Sequence, residues 1–530
     1  MKARLIALML ACLMLVTMLA GCGGKAPQSE NAPVSVTPGD SAPAQSVAAS
    51  KDFTFVMGTE PTTMDVHMCT DAATSRILLQ VHETLFKWDK ESKNVIPWLV
   101  ETSKEAEDGM SWTFTLKQGI KFHDGTDFNA EAVKYNFERL VAPETGSSKA
   151  SALASVESVE VVDPYTVKIN LKGRNLIFEQ TLTNYSTAIM SPTACETYGL
   201  DGYTNHPAGT GPLKMEKWEP GIEMVLVKNE EYWGEEPTTE KLTVKAVAED
   251  SSRVMMAKTG DTDIAWGISP ALVSNLQSDS NVTINTATGY RTIYIAMNQS
   301  YGPLQDSRVR AAICYAINKG EIVNNILCGV GGTYPAGFES SAVANSAKDL
   351  DPYEQDLEKA RQLLADAGYP DGFEIKLNTP EGRYAMDRQI AEAVQYMLAE
   401  VGIKANIEVL EWGTYQAAMK EKKDTQLFLL GKGSSTGDVE FDFLMHALST
   451  GGQNYYCINN PEVDEILNNL SSAADKEERG QMLYKAQKLL NDEYDYCTLY
   501  YENQIVATRA DVQGLVIYSN ETADLAWLTR

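Results

Sequence analysis

Phe373-Glu374-Ile375-Lys376-Leu377, then Ile403-Lys404-Ala405-Asn406-Ile407-Glu408-Val409, then Leu427-Phe428-Leu429-Leu430 read as three strands within one stretch of chain. In the second, apolar Ile403, Ala405, Ile407 and Val409 alternate with polar residues, the period of a half-buried strand. Between the first two, Met386 to Val401 carries a helical pattern that Gly402 stops. A second helix is predicted near Thr414 to Lys422, leading into the apolar Leu427 to Leu430. The order βαβαβ predicts an α/β fold with at least partly parallel pairing.

Working outward, Trp112, Phe114 and Leu116 alternate with polar residues as a strand does. Asn129 can cap a following helix that carries Val133, Phe137 and Leu140 on one face. No short solenoid-type repeat is present. The loop after Leu430 runs Gly431-Lys432-Gly433-Ser434-Ser435-Thr436-Gly437-Asp438. Open α/β sheets bind ligands beyond the carboxyl ends of their strands, which makes this loop a candidate. It does not follow the GxxxxGK[ST] pattern of a phosphate loop.

The N-terminus is basic at Lys2 and Arg4, and Leu5 to Leu19 is almost entirely apolar. That run is shorter than the ~20 residues of a spanning helix. With small residues after it, it reads as a secretory signal peptide over residues 1–21. It ends in Leu19-Ala20-Gly21-Cys22, similar to a bacterial lipobox, so Cys22 is the expected lipidation site. A diacylglyceryl group supplies the two chains that stable anchoring needs. Residues 22–51 are rich in Pro, Ala, Ser and Gly and predict a flexible tether. The protein is therefore expected on the extracytoplasmic face of the cell membrane.

With 45 basic and 72 acidic residues, the formal charge is −27. So acidic a surface repels phosphate backbones, and nucleic acid is not an expected partner. Cys69, Cys195, Cys314, Cys328, Cys457 and Cys497 are scattered without metal-ligand spacing, leaving disulfides and buried free thiols both open. The five histidines are dispersed. His82-Glu83 begins like HExxH, but position 86 is Phe. No metal site or cofactor is expected. The chain also lacks GxSxG and any clear Ser/His/Asp set, which weighs against the alternative of a secreted hydrolase.

Several stretches resemble, in order, the family 5 extracellular solute-binding proteins. They are Glu60-Pro61-Thr62-Thr63-Met64-Asp65, then Leu116-Lys117-Gln118-Gly119-Ile120-Lys121-Phe122-His123-Asp124-Gly125-Thr126 on to Ala132-Val133. Gly209-Thr210-Gly211-Pro212, Asn229-Glu230-Glu231-Tyr232-Trp233-Gly234 and Asp306-Ser307-Arg308-Val309-Arg310-Ala311-Ala312 follow. Ala367-Gly368-Tyr369-Pro370-Asp371-Gly372-Phe373, Glu411-Trp412 and Asn460-Pro461-Glu462-Val463-Asp464 complete the set. That family includes the dipeptide-, oligopeptide-, glutathione- and nickel-binding components of ABC importers.

The resemblance implies an α/β clamp of the periplasmic-binding-protein type II class, with three lobes around a hinged cleft. Lobe I would comprise residues 52–83, 207–298 and 505–530, lobe II residues 84–206, and lobe III residues 299–504. It implies a monomeric binding protein rather than an enzyme, which hands a small peptide or peptide-like ligand to a membrane permease. Arg383, in Gly382-Arg383-Tyr384, stands where dipeptide binders carry an Arg for the ligand carboxylate, and Trp412 where the pocket is lined. Peptide binders place an Asp on the loop after the fourth strand, whereas this chain has Ser434 or Ser435 there, and Lys432 for a typical Trp. The run Ser434, Ser435, Thr436, Gly437, Asp438 instead resembles the glutathione-binding branch, whose anionic ligand Arg383 and Lys432 would suit. Asp438 or Glu440 remains a candidate for a ligand ammonium. A nickel or other metal chelate is the alternative ligand, with His446 its best support.

Overall fold

The computed structural model describes residues 50–89, 94–422, 425–434 and 436–530. The signal segment, Cys22, most of the tether and Ser435 lie outside the described residues. An eleven-stranded sheet forms the backbone of the molecule. The order along it begins Ile403–Leu410, Phe373–Pro380, Leu427–Lys432, Val282–Met297, Tyr496–Arg509. It continues through Ile264–Trp266, Asp52–Met57, Lys241–Ala246, Glu223–Lys228 and Leu213–Glu219, and the eleventh strand, Gly332–Thr333, pairs with Tyr496–Arg509 off this path.

The segment read first from the sequence occupies one end of this sheet. Phe373–Pro380 pairs in parallel with Ile403–Leu410 along its whole length and with Leu427–Lys432 at Leu377 and Asn378. The intervening helix spans Asp387–Ala399, ending short of Gly402, whose φ of +90° suits the glycine that stops it. The second helix starts two residues earlier than the pattern suggested, at Trp412, because the Glu411 carboxylate accepts from the amides of Gly413 and Thr414. That cap places Trp412 in the first turn.

Two long antiparallel strands, Val282–Met297 and Tyr496–Arg509, run through both halves of the sheet. Their register breaks between Thr288 and Thr292. Side chains alternate across the sheet, so Ile293, Ile295 and Leu429 enter one core and Tyr294, Ala296, Phe428 and Leu430 another. A strand covered on both faces is apolar throughout, which explains the unbroken run at Leu427 to Leu430.

A separate antiparallel sheet orders Val100–Glu105, Ser111–Leu116, Thr166–Leu171 and Val156–Asp163. Trp112, Phe114 and Leu116 point inward and pack with Val133, Phe137 and Leu140 of the helix Ala130–Val141. The Asn129 side chain accepts from the amide of Ala132, capping that helix as its position predicted. All six described cysteines are free thiols, and Cys69, Cys195, Cys314 and Cys497 are buried.

Candidate functional site

The parallel strands end together, and their carboxyl ends carry the first group of candidates. Immediately after Phe373–Pro380 the chain turns, and the buried Asp387 carboxylate accepts from the amides of Arg383 at 2.9 Å and Tyr384 at 3.3 Å. This fixes the backbone so that Tyr384 turns inward while Arg383 stays exposed. The Tyr384 hydroxyl donates to the Gly431 carbonyl at 3.3 Å. A Cβ on Gly431 would lie 2.6 Å from both Tyr384 and Ile293, so only glycine allows this approach.

Trp412 packs edge-on to Tyr384, with centroids 6.2 Å apart, and stacks on Tyr415 at 5.7 Å. The Arg383 guanidinium sits 5.0 Å from the Trp412 ring and 5.5 Å from that of Tyr384. It makes no ion pair among the described residues. The adjacent Arg383 and Tyr384 and the more distant Trp412 therefore share one corner.

Beside them lies a cluster that local sequence reading did not identify. Arg291 donates to Glu502 at 2.8 Å and to Glu521 at 3.2 Å. Burial works against the charge on Arg291, but Glu502 and Glu521 outweigh it and hold the guanidinium more basic than usual. Burial pushes the Glu502 carboxyl up, opposed by Arg291 and, more weakly, by Arg383. Arg291 reaches this place from the register break between the two long strands. Gly289 inside a strand pattern was the available clue, since such a glycine often marks a bulge.

The loop after Leu427–Lys432 differs from expectation in its charges. Lys432 is buried and paired with buried Glu339, so it does not face a ligand. Asp438 is fully buried: Arg479 reaches its two oxygens at 2.5 and 3.2 Å, and Asn345 donates at 2.7 Å. It also caps the helix Val439–His446 through the Glu440 amide. Glu440 pairs with the same Arg479. Asp438 is thus an internal brace of the loop, because a carboxylate so engaged has no oxygen left for a ligand ammonium.

The hydroxyl groups are placed differently. Ser434 Oγ donates to the Asp438 carbonyl and accepts from its amide, closing the loop on itself. The Thr436 carbonyl accepts from Gln180 at 3.0 Å, whereas its buried hydroxyl has no partner among the described residues. Gly437 sits against Tyr290 and Trp88. His446 is buried, with Nδ1 3.0 Å from the Tyr456 hydroxyl, and burial followed by the nearby Lys432 charge pushes it down to about 3. Among the described residues, no three His, Cys, Asp or Glu side chains converge as a metal would require.

Asp442, on the same helix, is pushed up to about 8 by burial, reinforced by Glu339 and Asp438 and opposed by Lys432. An unfolded Asp titrates near ~4, so folding takes up a proton between about pH 4 and pH 8. This group's contribution to stability is full below that window and is lost as the pH rises through it. Asp442→Asn should gain stability relative to the wild type when urea unfolding is compared at about pH 5 and about pH 8.5. An equal difference at both values would contradict a protonated Asp442.

Beyond Thr436 the loop borders a cleft of about 630 Å³ between residues 148–186 and 436–479. Arg174 crosses it, donating to the carbonyls of Ala473 at 2.5 Å and Ala474 at 2.8 Å. Gln180 to Thr436 and the Glu179–Lys476 ion pair at 3.4 Å make the same crossing. The four-stranded unit and the loop are therefore held against each other by polar contacts that water could replace.

Comparison with known proteins bears on what this arrangement serves. Residues 94–454 match the family described as bacterial extracellular solute-binding proteins, family 5, middle region. The glutathione-binding protein GsiB of Salmonella typhi is 31% identical over 492 residues, covering 90% of this chain and 95% of that protein. HbpA2 from Haemophilus parasuis superimposes with a TM-score of 0.81 at 25% identity, over 90% of this chain and 99% of that one. A dipeptide-binding protein from Pseudoalteromonas sp. SM9913 in complex with Met-Leu gives 0.73 at 22% identity, over 90% and 100% respectively. The fold is that of the type II periplasmic binding proteins. The chain is an extracytoplasmic substrate-binding protein of the ABC-importer class, not an enzyme. It belongs to the family 5 bacterial extracellular solute-binding proteins.

Proposed function

We propose that this protein captures a small peptide, either a di- or oligopeptide or a glutathione-like compound, by its carboxylate and delivers it to the permease of an ABC importer. The observation that carries this reading is the exposed Arg383 guanidinium, without an ion pair among the described residues and held over Trp412 at the ends of the parallel strands. A planar guanidinium meets a carboxylate with two parallel hydrogen bonds. Tyr384 and Trp412 orient it, and the half-buried Trp412 offers aromatic surface to the ligand. Thr436, with Ser435 beside it in sequence, supplies the hydroxyl group of the next loop, which Ser434 and Asp438 brace from within. Similarity to a glutathione-binding protein of Salmonella typhi supports a peptide-like anion as the ligand class. For the metal-chelate alternative, the nearest candidate, His446, is turned to Tyr456.

In this reading the three lobes have the boundaries given above, and the two long strands form the hinge between them. Mass spectrometry of whatever co-purifies, followed by calorimetry with reduced glutathione and Ala-Ala, tests the ligand class. A co-purifying species without a carboxylate, together with no heat from either peptide, would overturn it.

Membrane attachment is part of the same proposal and rests on Cys22. Cys22→Ser should abolish lipid modification and release the protein from the membrane fraction. Retention of the variant after a high-salt wash would refute the anchor.

A further inference from the structure

Arg479 engages both carboxylates of the loop after Leu427–Lys432, those of Asp438 and Glu440. The Arg383 corner has two others, Glu502 and Glu521, which share the single charge of Arg291. Arg291 binds one oxygen of each, Oε2 of Glu502 at 2.8 Å and Oε1 of Glu521 at 3.2 Å. One positive charge therefore answers two negative ones. Arg76, behind Glu521, does not cancel the excess, because burial works against its charge and Asp71 shares it with Glu521. The side chains of Glu502 and Glu521 stay 17% and 26% exposed, enough for a ligand to reach them.

These carboxylates and Arg383 belong to one place. Tyr384, next to Arg383 in the chain, lies over Gly431 and Ile293. Arg291 is two residues from Ile293, at most about 7 Å along the chain. Its backbone meets Gly433, which is two residues from Gly431. Burial raises the Tyr384 hydroxyl; its hydrogen bond to Gly431 and then the charges of Arg291 and Arg383 oppose this, and Glu502 adds to it. One hydroxyl thus feels all three charges. Burial, then Glu502, also raises the Tyr500 hydroxyl well above its usual range, and that buried group has no partner among the described residues. An unmet buried donor is costly, which points to a polar occupant beside Glu502.

Glu521 is also held where few side chains go. Its φ is +69°, in the left-handed region that favours glycine. Its amide donates to the Tyr518 carbonyl at 3.0 Å and its carbonyl accepts from Arg76 Nε at 2.9 Å, so turn and arginine together impose the conformation. A glycine would relieve that cost, whereas a glutamate keeps a carboxylate on Arg291. We propose that Glu521, backed by Glu502, receives the ligand's ammonium, so that the protein selects peptides with a free N-terminus. This rests on the reading of Arg383 as the anchor of the ligand carboxylate, and the two places then hold opposite ends of a zwitterion. The ammonium supplies the positive charge that Arg291 alone does not.

The test is calorimetry with Ala-Ala and reduced glutathione, their N-acetyl forms and their C-terminal amides, on the wild type, Glu521→Gln and Glu521→Gly. For whichever free peptide binds the wild type, N-acetylation is expected to lower the affinity about tenfold or more, the scale of losing one partner of a partly exposed charge pair. Both variants should lose about the same factor for the free peptide and hardly differ from the wild type for the acetylated one. Glu502 still pairs Arg291 in both, and glycine suits the backbone at position 521, so Glu521→Gly should melt within a few degrees of the wild type. Either variant keeping the wild-type affinity, losses from acetylation and substitution that simply add, or acetylated peptides binding as tightly as free ones would overturn the role of Glu521 while leaving the Arg383 anchor in place. An amide that binds as tightly as its acid overturns the anchor instead, and binding of none of these peptides overturns both.

Discussion

Arg383→Ala is expected to lower the affinity for a carboxylate-bearing ligand about 30-fold or more. Losing one partner of a desolvated charge pair typically costs about 2–5 kcal/mol, much of it from the charge left unpaired. Arg383 is exposed, so the full cost requires that the ligand and the walls around it exclude water. Arg383→Lys should not restore the affinity, because an ammonium is a point charge without the planar fork. It also lacks the plane with which a guanidinium can stack on Trp412. Amidating the carboxylate should weaken the wild type strongly and Arg383→Ala hardly at all. Those four combinations, measured by calorimetry, form a double-mutant cycle. If the two losses simply add, Arg383 does not touch the carboxylate.

Arg479→Leu should be among the most destabilising single changes in the half of the molecule that holds the loop. Arg479 is buried and supplies both terminal guanidinium nitrogens to Asp438, whose relative exposure is 0%, while its Nε donates to Glu440. Breaking a buried ion pair by removing one member costs about 3–5 kcal/mol, because the remaining charge has no compensation. Asn345 and the Glu440 amide still contact Asp438, but they are dipoles and cannot replace a cation. Adding Asp438→Asn to this background should recover part of the loss, since a neutral amide needs no counter-charge. Urea unfolding of the two variants reads the difference. A loss within about 0.5 kcal/mol, typical of surface changes, would mean that the pair does not brace the loop.

Local patterns were enough for much of the architecture. The alternation at Ile403 to Val409, the glycine after Val401 and the cap at Asn129 each depend on neighbours within a few residues, and each appears where it was read. Helix starts were less certain: Glu411 caps one residue before Trp412 through a carboxylate, and nothing apolar marks that boundary. The matched stretches along the chain likewise identified the family, because ordered motifs survive as sequence whatever the packing between them.

Charges in the candidate site were another matter. Lys432, Asp438 and Glu440 stand on the right loop and in a suitable order, yet their partners Glu339 and Arg479 come from segments roughly 40 to 90 residues away. Arg291, Glu502 and Glu521 form a cluster from three separate places. Whether an ionisable side chain faces a ligand or pairs inside the protein depends on distances of a few ångströms between remote parts of the chain. The strand periods and caps were therefore determined by the sequence itself. Only the tertiary structure decided that Arg383 stays available while Lys432 and Asp438 are neutralised from within, because burial makes an unpaired charge too costly to leave.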